Sequence, residues 1–427
     1  MAINQDFINI LKVSGQRLDV SPSLSGPTTL RRGFPVPSSS KVARLQLVMD
    51  EDGVLDWEEA ASVIPGLARR RRGLNANSSD GAQLVEFPKL EPSKVTEFLS
   101  KQDDRMTPKR GLRAFDSVSG KLVPMKVPQT GKILLMVHGT FSNSDNVIQS
   151  FLNTKHGKEF LNSCIERYGK NIFFFDHPTI SVGPIFNAID LNRELGGTTA
   201  EIDIIAHSRG GLVTRWWCEA CDPNGVRCKN AILVGSPLAG TGLAAPPNIR
   251  KTLRLLTNYG HALSLAASTA SMAVPVVAVV NTLLQVITSF TSVAASTPIA
   301  DSVMAMIPGL FGQSRVGNNP ELLRLHLMQG KSERYAAVQS NFESEEIGWR
   351  FWKIFSGQRI LDNATDIVFE GPNDMVVDTP SMTYLGERLL IAKERTHDFG
   401  KSSSVHHVNY FDHLATIEHF RKILKLV

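Results

Sequence analysis

The chain has 427 residues, with 46 Lys and Arg against 41 Asp and Glu for a formal net charge of +5, and it contains 4 cysteines. That length accommodates one large core with an accessory unit and an insertion, while so small a charge excess, with no accompanying aromatic stacking pattern, argues against nucleic acid as a partner. The cysteines, Cys164, Cys218, Cys221 and Cys228, include one C-x-x-C pair but no second pair or His set to complete a zinc site, so no metal is expected and the thiols should be reduced and mostly buried.

Residues 1–40 include a Pro/Ser/Thr-rich tract without hydrophobic periodicity, which reads as a loop or arm. Asp6 and Lys12 interrupt the first apolar stretch, so no signal-peptide core follows Met1 and cytoplasmic residence is expected. Residues 42–60 read as a strand, an Asp-Gly turn and a second short strand or helix start. An EF-hand is excluded there because Val48 falls on the first ligand position. Arg69 to Arg72 form a basic run that reads first as a solvated loop and second as a phosphate contact. Residues 111–127 suggest another hairpin, around Ser119-Gly120, so the pieces before residue 126 suggest a small β-rich unit.

From Lys132 the pattern changes. KILLMVHGTF (132–141) is a continuous apolar run ending in His138-Gly139-Thr140, where a sharp turn can aim the Thr140 N–H at a reacting carbonyl. A strand (171–178) and a helix (184–195) follow. EIDIIAHSRGG (201–211) then reads as a buried strand that breaks into a tight turn at Ser208 and enters a helix. Small flanking residues are what a strained turn carrying a nucleophilic serine requires, and Ala206, Gly210 and Gly211 supply them. The Arg209 N–H is the second expected oxyanion donor, and the next strand is KNAILVGSP (229–237).

Residues 255–300 contain no Asp, Glu, Lys or Arg. Recurrent Ser, Thr and Asn, an interrupting Pro275 and the absence of an aromatic belt oppose a membrane span, so an inserted helical cap at about 240–330 is expected, with weak membrane-surface contact as a lesser expectation. A cap rich in Ala, Val and Leu would roof a pocket for apolar acyl or aryl groups. Beyond it, 334–342 supplies a further strand, and Asp374 follows the turn Gly371-Pro372-Asn373, which favours it as a triad acid over Asp378, Asp366 and Asp362. ERLLIAKER (387–395) reads as the last strand. Apolar residues Leu414, Ile417, Phe420, Ile423 and Leu424 predict a closing helix from about Asp412. Of the four histidines here, His406, His407, His413 and His419, His407 lies in the loop before that helix and is preferred as general base, His413 at the helix start is the alternative, and His419, within the helix, reads as structural.

Nucleophile, acid and histidine in this chain order, with the segments HGTF, AHSRGG, NDMVV and HVNYF, resemble the lipase and esterase branch of the α/β-hydrolase superfamily, in particular bacterial intracellular-type serine hydrolases. The resemblance covers roughly the last 300 residues. It implies an α/β fold with a mostly parallel sheet flanked by helices (126–427), to which the residues themselves add the inserted helical cap and the N-terminal arm and accessory β-rich region (1–125). It also implies Ser208 as nucleophile, Asp374 as acid, His407 as base, the N–H groups of Thr140 and Arg209 as oxyanion hole, and hydrolysis of a small-molecule or lipid ester without cofactor. A catalytically silent binding or scaffolding protein and an amidase or peptidase using the same residues stand as alternatives, because fold and triad do not set the substrate.

Overall fold

A computed structural model of the chain describes residues 3–17, 23–25, 42–50, 53–59, 83–244, 249–265, 270–290, 307–315, 317, 319–328, 330–344, 368–369 and 371–426. Arg69 to Arg72, Asp362 and Asp366 lie outside these residues. The chain divides into two compact units, one built from residues 1–98, 247–304 and 345–368, the other from 99–246, 305–344 and 369–427.

The second unit holds an eight-stranded sheet of β1 (Gly111–Asp116), β2 (Lys121–Pro124), β3 (Lys132–Val137), β4 (Ile172–Asp176), β5 (Glu201–His207), β6 (Cys228–Val234), β7 (Tyr335–Phe342) and β8 (Thr396–Ser402), in the order β2-β1-β4-β3-β5-β6-β7-β8. From β4 to β8 each neighbouring pair is parallel, whereas β1 runs antiparallel to both β2 and β4. Strands covered on both faces need apolar side chains throughout; β4 is buried at all five positions, and β3 at every position after Lys132. One core lies on each face. Leu135, Phe173, Ile204, Leu233 and Trp217 belong to one, and Leu134, Phe174, Ile205, Phe160 and Phe420 to the other. The helices of this unit include α1 (Ser144–Leu152), α2 (Lys155–Tyr168), α3 (Pro184–Glu194), α4 (Arg209–Cys221), α5 (Pro308–Phe311), α6 (Pro320–Leu327) and α7 (Leu414–Leu424), besides most of the helix Val95–Met106.

Two elements differ from expectation. The hairpin around Ser119-Gly120 is β1–β2 of this sheet, with β1 pairing to β4. The last strand is THDFGKS, not ERLLIAKER, of which only Leu389–Leu390 is a strand, paired with Tyr384–Gly386 in a separate two-stranded ribbon. Among the described residues β8 pairs on one side alone, with β7. An edge strand can carry polar residues that face water, and the exposed Asp398 and Lys401 are of that kind, so an apolar run is the wrong signal for it.

In the first unit a four-stranded antiparallel sheet orders 23–25, 83–88, 42–49 and 55–59, and between the last two Asp50 Oδ1 accepts the Val54 N–H at 2.8 Å; Asp52 of the expected Asp-Gly turn lies outside the described residues. The helices Gln5–Arg17, Ile249–Leu265 and Ala270–Phe290 belong to this unit. The Asn258 amide donates to the Leu55 carbonyl and accepts its N–H, both at 2.8 Å, and the Trp57 indole donates to Thr257 Oγ1. The uncharged stretch is therefore joined to the N-terminal strands at Thr257 and Asn258, while the Thr288 hydroxyl bonds the Leu284 carbonyl of its own helix. No described helix is long and apolar enough to cross a membrane.

Candidate active site

β5 ends at His207, and α4 begins at Arg209. Between them Ser208 takes φ 53° and ψ −127°, a left-handed conformation that a non-glycine residue adopts only under constraint from its surroundings. The constraint is visible: the Ser208 N–H donates to the Val234 carbonyl on β6, and the turn has no room for side chains. A Cβ on Gly139 would come within 2.8 Å of Ser208 Cβ, and one on Gly211 within 2.1 Å of Ser236 Oγ. Ala206, the extra methyl in the motif, is fully buried in the core, so the space it needs exists.

Three side chains from three separate segments meet here. His407 Nε2 lies 2.9 Å from Ser208 Oγ, and His407 Nδ1 lies 2.8 Å from Asp374 Oδ2. A carboxylate can only accept, so Nδ1 carries the proton and Nε2 faces the serine hydroxyl as acceptor. Asp374 is fully buried in a turn whose backbone returns two N–H groups to Oδ1, from Val376 and Val377 at 3.1 and 2.8 Å. The turn is anchored to the end of β7 through the Phe342 N–H on the Asn373 carbonyl, and the His407 N–H donates to the Asp374 carbonyl. Tyr410, three residues past His407, donates its hydroxyl to Asp374 Oδ2 at 2.8 Å. That fourth donor was not singled out in the sequence, although Tyr410 stands in the HVNYF segment. Its signal would have been the three-residue spacing, which brings both side chains of one turn to the same carboxylate.

Of the other sequence candidates, His413 stands just before α7 with its ring against Phe399, and it is not brought to Ser208. Asp378 pairs with Arg315. His406 is buried edge-on to Phe342, and His419 lies on α7 facing His397. His207 donates Nε2–H to the His407 carbonyl at 2.8 Å and so holds the loop of that residue. Burial, with the neighbouring His407, pushes the His207 pKa down to about 3 and keeps its ring neutral.

The turn after β3 is braced from behind. His138 Nδ1–H donates to the Gly139 carbonyl at 2.9 Å, and His138 Nε2 accepts the His177 N–H at 3.2 Å, with the two imidazoles stacked 4.0 Å apart. Because a peptide group is planar, holding the Gly139 C=O also sets the aim of the Thr140 N–H. Asp103 accepts the N–H groups of Thr179, Ile180 and Ser181 at 2.6, 3.1 and 2.7 Å, fixing the neighbouring loop. The Arg209 N–H, at the first position of α4, has no carbonyl within its own helix to bond. Its side chain is buried, reaching the Val182 carbonyl at 2.5 Å and Asn187 Oδ1 at 2.7 Å, and burial lowers its pKa to about 10.

Buried neutral histidines make this unit acid-sensitive. Burial takes His406 down to about 3 and His326 and His419 to about 4, and it lowers His138 and His177 in the same direction. In the unfolded chain each returns to about 6.5, so between that pH and the folded values the unfolded state holds more protons and stability falls as pH drops. Asp412, raised to about 6 by burial, and Glu321, also raised by burial, act in the opposite sense but are outnumbered. Thermal melts from pH 7.5 to 4.5 should show Tm declining below about pH 6.5. A flat Tm across that range would contradict the assignment of neutral buried rings.

The strand order, the single antiparallel strand beside the sheet edge and the sharp serine turn at the end of a central strand define an α/β-hydrolase fold. The chain belongs to the family described as domain of unknown function DUF7379, whose profile matches residues 107–425. No curated protein matches the sequence. Among solved structures it is similar to the mature lipase BlEst2 of Bacillus licheniformis (17% identity over 74% of this chain and 97% of that one, TM-score 0.37), to lipase 1 of Pelosinus fermentans (13%, 69% and 97%, 0.38) and to a thermophilic esterase of Thermogutta terrifontis (12%, 74% and 98%, 0.35).

Proposed function

We propose that the protein is a serine hydrolase that cleaves carboxylic esters through an acyl-enzyme. The observation that carries this reading is the hydrogen-bonded line from Ser208 through His407 to Asp374, with contacts of 2.9 and 2.8 Å, placed at a strained strand-to-helix turn. In the first half-reaction Ser208 Oγ attacks the ester carbonyl carbon while His407 Nε2 takes its proton. The carbonyl π electrons move to oxygen, where the Thr140 and Arg209 N–H groups receive the charge. Asp374, whose oxygens accept from Val376, Val377, Tyr410 and His407, stabilises the imidazolium without taking its proton. His407 then protonates the departing alkoxide. In the second half it deprotonates a water, which attacks the acyl carbon, and the acid leaves as Ser208 recovers its proton.

A fluorophosphonate probe and a panel of p-nitrophenyl esters and anilides test this. Covalent labelling on the peptide that carries Ser208, with turnover of esters faster than of anilides, is the expected result. An unlabelled serine would remove the reading, and anilide turnover equal to ester turnover would move it to amide bonds.

A further inference from the structure

α5 and the two residues after it, 308–313, pack against the oxyanion side of the nucleophile turn. A Cβ on Gly309 would lie 1.9 Å from the Thr179 carbonyl oxygen, so this segment and the 179–181 loop are in direct backbone contact. Gln313 is buried at its end, its own carbonyl accepting the Thr241 N–H at 2.9 Å. The Gln313 side chain joins two groups: Nε2 donates to the Gly309 carbonyl at 2.8 Å, and Oε1 accepts the Thr140 hydroxyl at 3.1 Å. The same Gly309 carbonyl accepts Arg209 Nε at 3.4 Å.

The geometry admits one orientation of the amide. A backbone carbonyl only accepts, so the NH₂ end of Gln313 must face Gly309, and the oxygen end must face Thr140. The Thr140 hydroxyl proton is thereby committed to Gln313, which leaves the Thr140 backbone N–H, not its side chain, to face developing charge. The side chains of both oxyanion residues thus converge on one carbonyl oxygen, Arg209 directly and Thr140 through Gln313. Oxyanion donors act only when aimed at the position the charged oxygen will occupy, and here their backbones belong to separate segments, the turn after β3 and the start of α4, that need a common brace.

We propose that Gln313 is a positioning residue for the oxyanion hole, holding the Thr140 and Arg209 N–H groups in register through Gly309; this rests on the ester-hydrolase reading above. The test compares wild type, Gln313→Met, which keeps the length and loses both hydrogen bonds, Thr140→Val, which keeps the backbone donor, and the double variant. Each single change should lower kcat for p-nitrophenyl butyrate about tenfold, with KM within about twofold and fluorophosphonate labelling of Ser208 slowed in parallel, since a small misplacement costs rate more than binding. Because both changes cut one link, the double variant should be no slower than the slower single. Wild-type kcat and labelling rate in Gln313→Met would overturn the proposal, as would multiplicative losses in the double variant. Should Gln313→Met fail to fold, Gln313→Glu keeps the acceptor for Thr140 and loses the donor to Gly309, and the same rates decide. Failure of the ester-hydrolase reading looks different: Ser208 is labelled in a His407-dependent way but no ester turns over, and the labelling rates then decide the role of Gln313. A wild-type Ser208 that does not label overturns both.

Discussion

Ser208→Ala is expected to remove ester hydrolysis almost entirely, a loss on the order of 10⁶ in kcat where nucleophile and base act as a unit, and to end fluorophosphonate labelling. The fold should survive. Ser208 Oγ bonds His407, while the constraint on the turn comes from the backbone bond to Val234 and from the close approach of Gly139 and Gly211, which alanine leaves in place. The left-handed φ of 53° strains alanine as it strains serine, so Tm should stay within a few degrees. Turnover above about a hundredth of wild type, measured on purified protein, would remove Ser208 from the nucleophile role.

His407→Ala should cost a similar number of orders of magnitude in kcat, and the contrast with His413→Ala gives the measurement its force. Loss of the His407 ring leaves Asp374 buried but not orphaned, because Val376, Val377 and Tyr410 still donate to it, so stability should change little. His413 has the reverse balance. Its ring packs on Phe399 beside the start of α7, away from Ser208, and truncation should cost about 1 kcal/mol of stability through lost packing, with near-normal turnover. If His413→Ala silences the protein while His407→Ala retains activity, the base has been misassigned. Measuring kcat and Tm on the same preparations separates the outcomes.

The sequence by itself determined the elements whose signal is local. β3, β4, β5 and β6 are covered on both faces and had to be written as apolar runs. Ser208 stands out because a strained strand-to-helix turn tolerates only small neighbours, and the closing helix shows in the spacing of Ile417, Phe420 and Leu424. What the tertiary structure decided depends on partners far apart in the chain. It set His407, and not His413, beside Ser208, through a contact that spans 199 residues. It brought Gln313 to Thr140, a pairing that no spacing in one segment announces. It joined the uncharged stretch, at Thr257 and Asn258, to Trp57 and Leu55 in the N-terminal strands. It also set the last strand at 396–402, since an edge strand is held by the backbone ladder to β7 while its side chains are free to be polar. Burial on two faces leaves its mark in composition, whereas hydrogen-bond partners and sheet edges are set by where the folded chain returns upon itself.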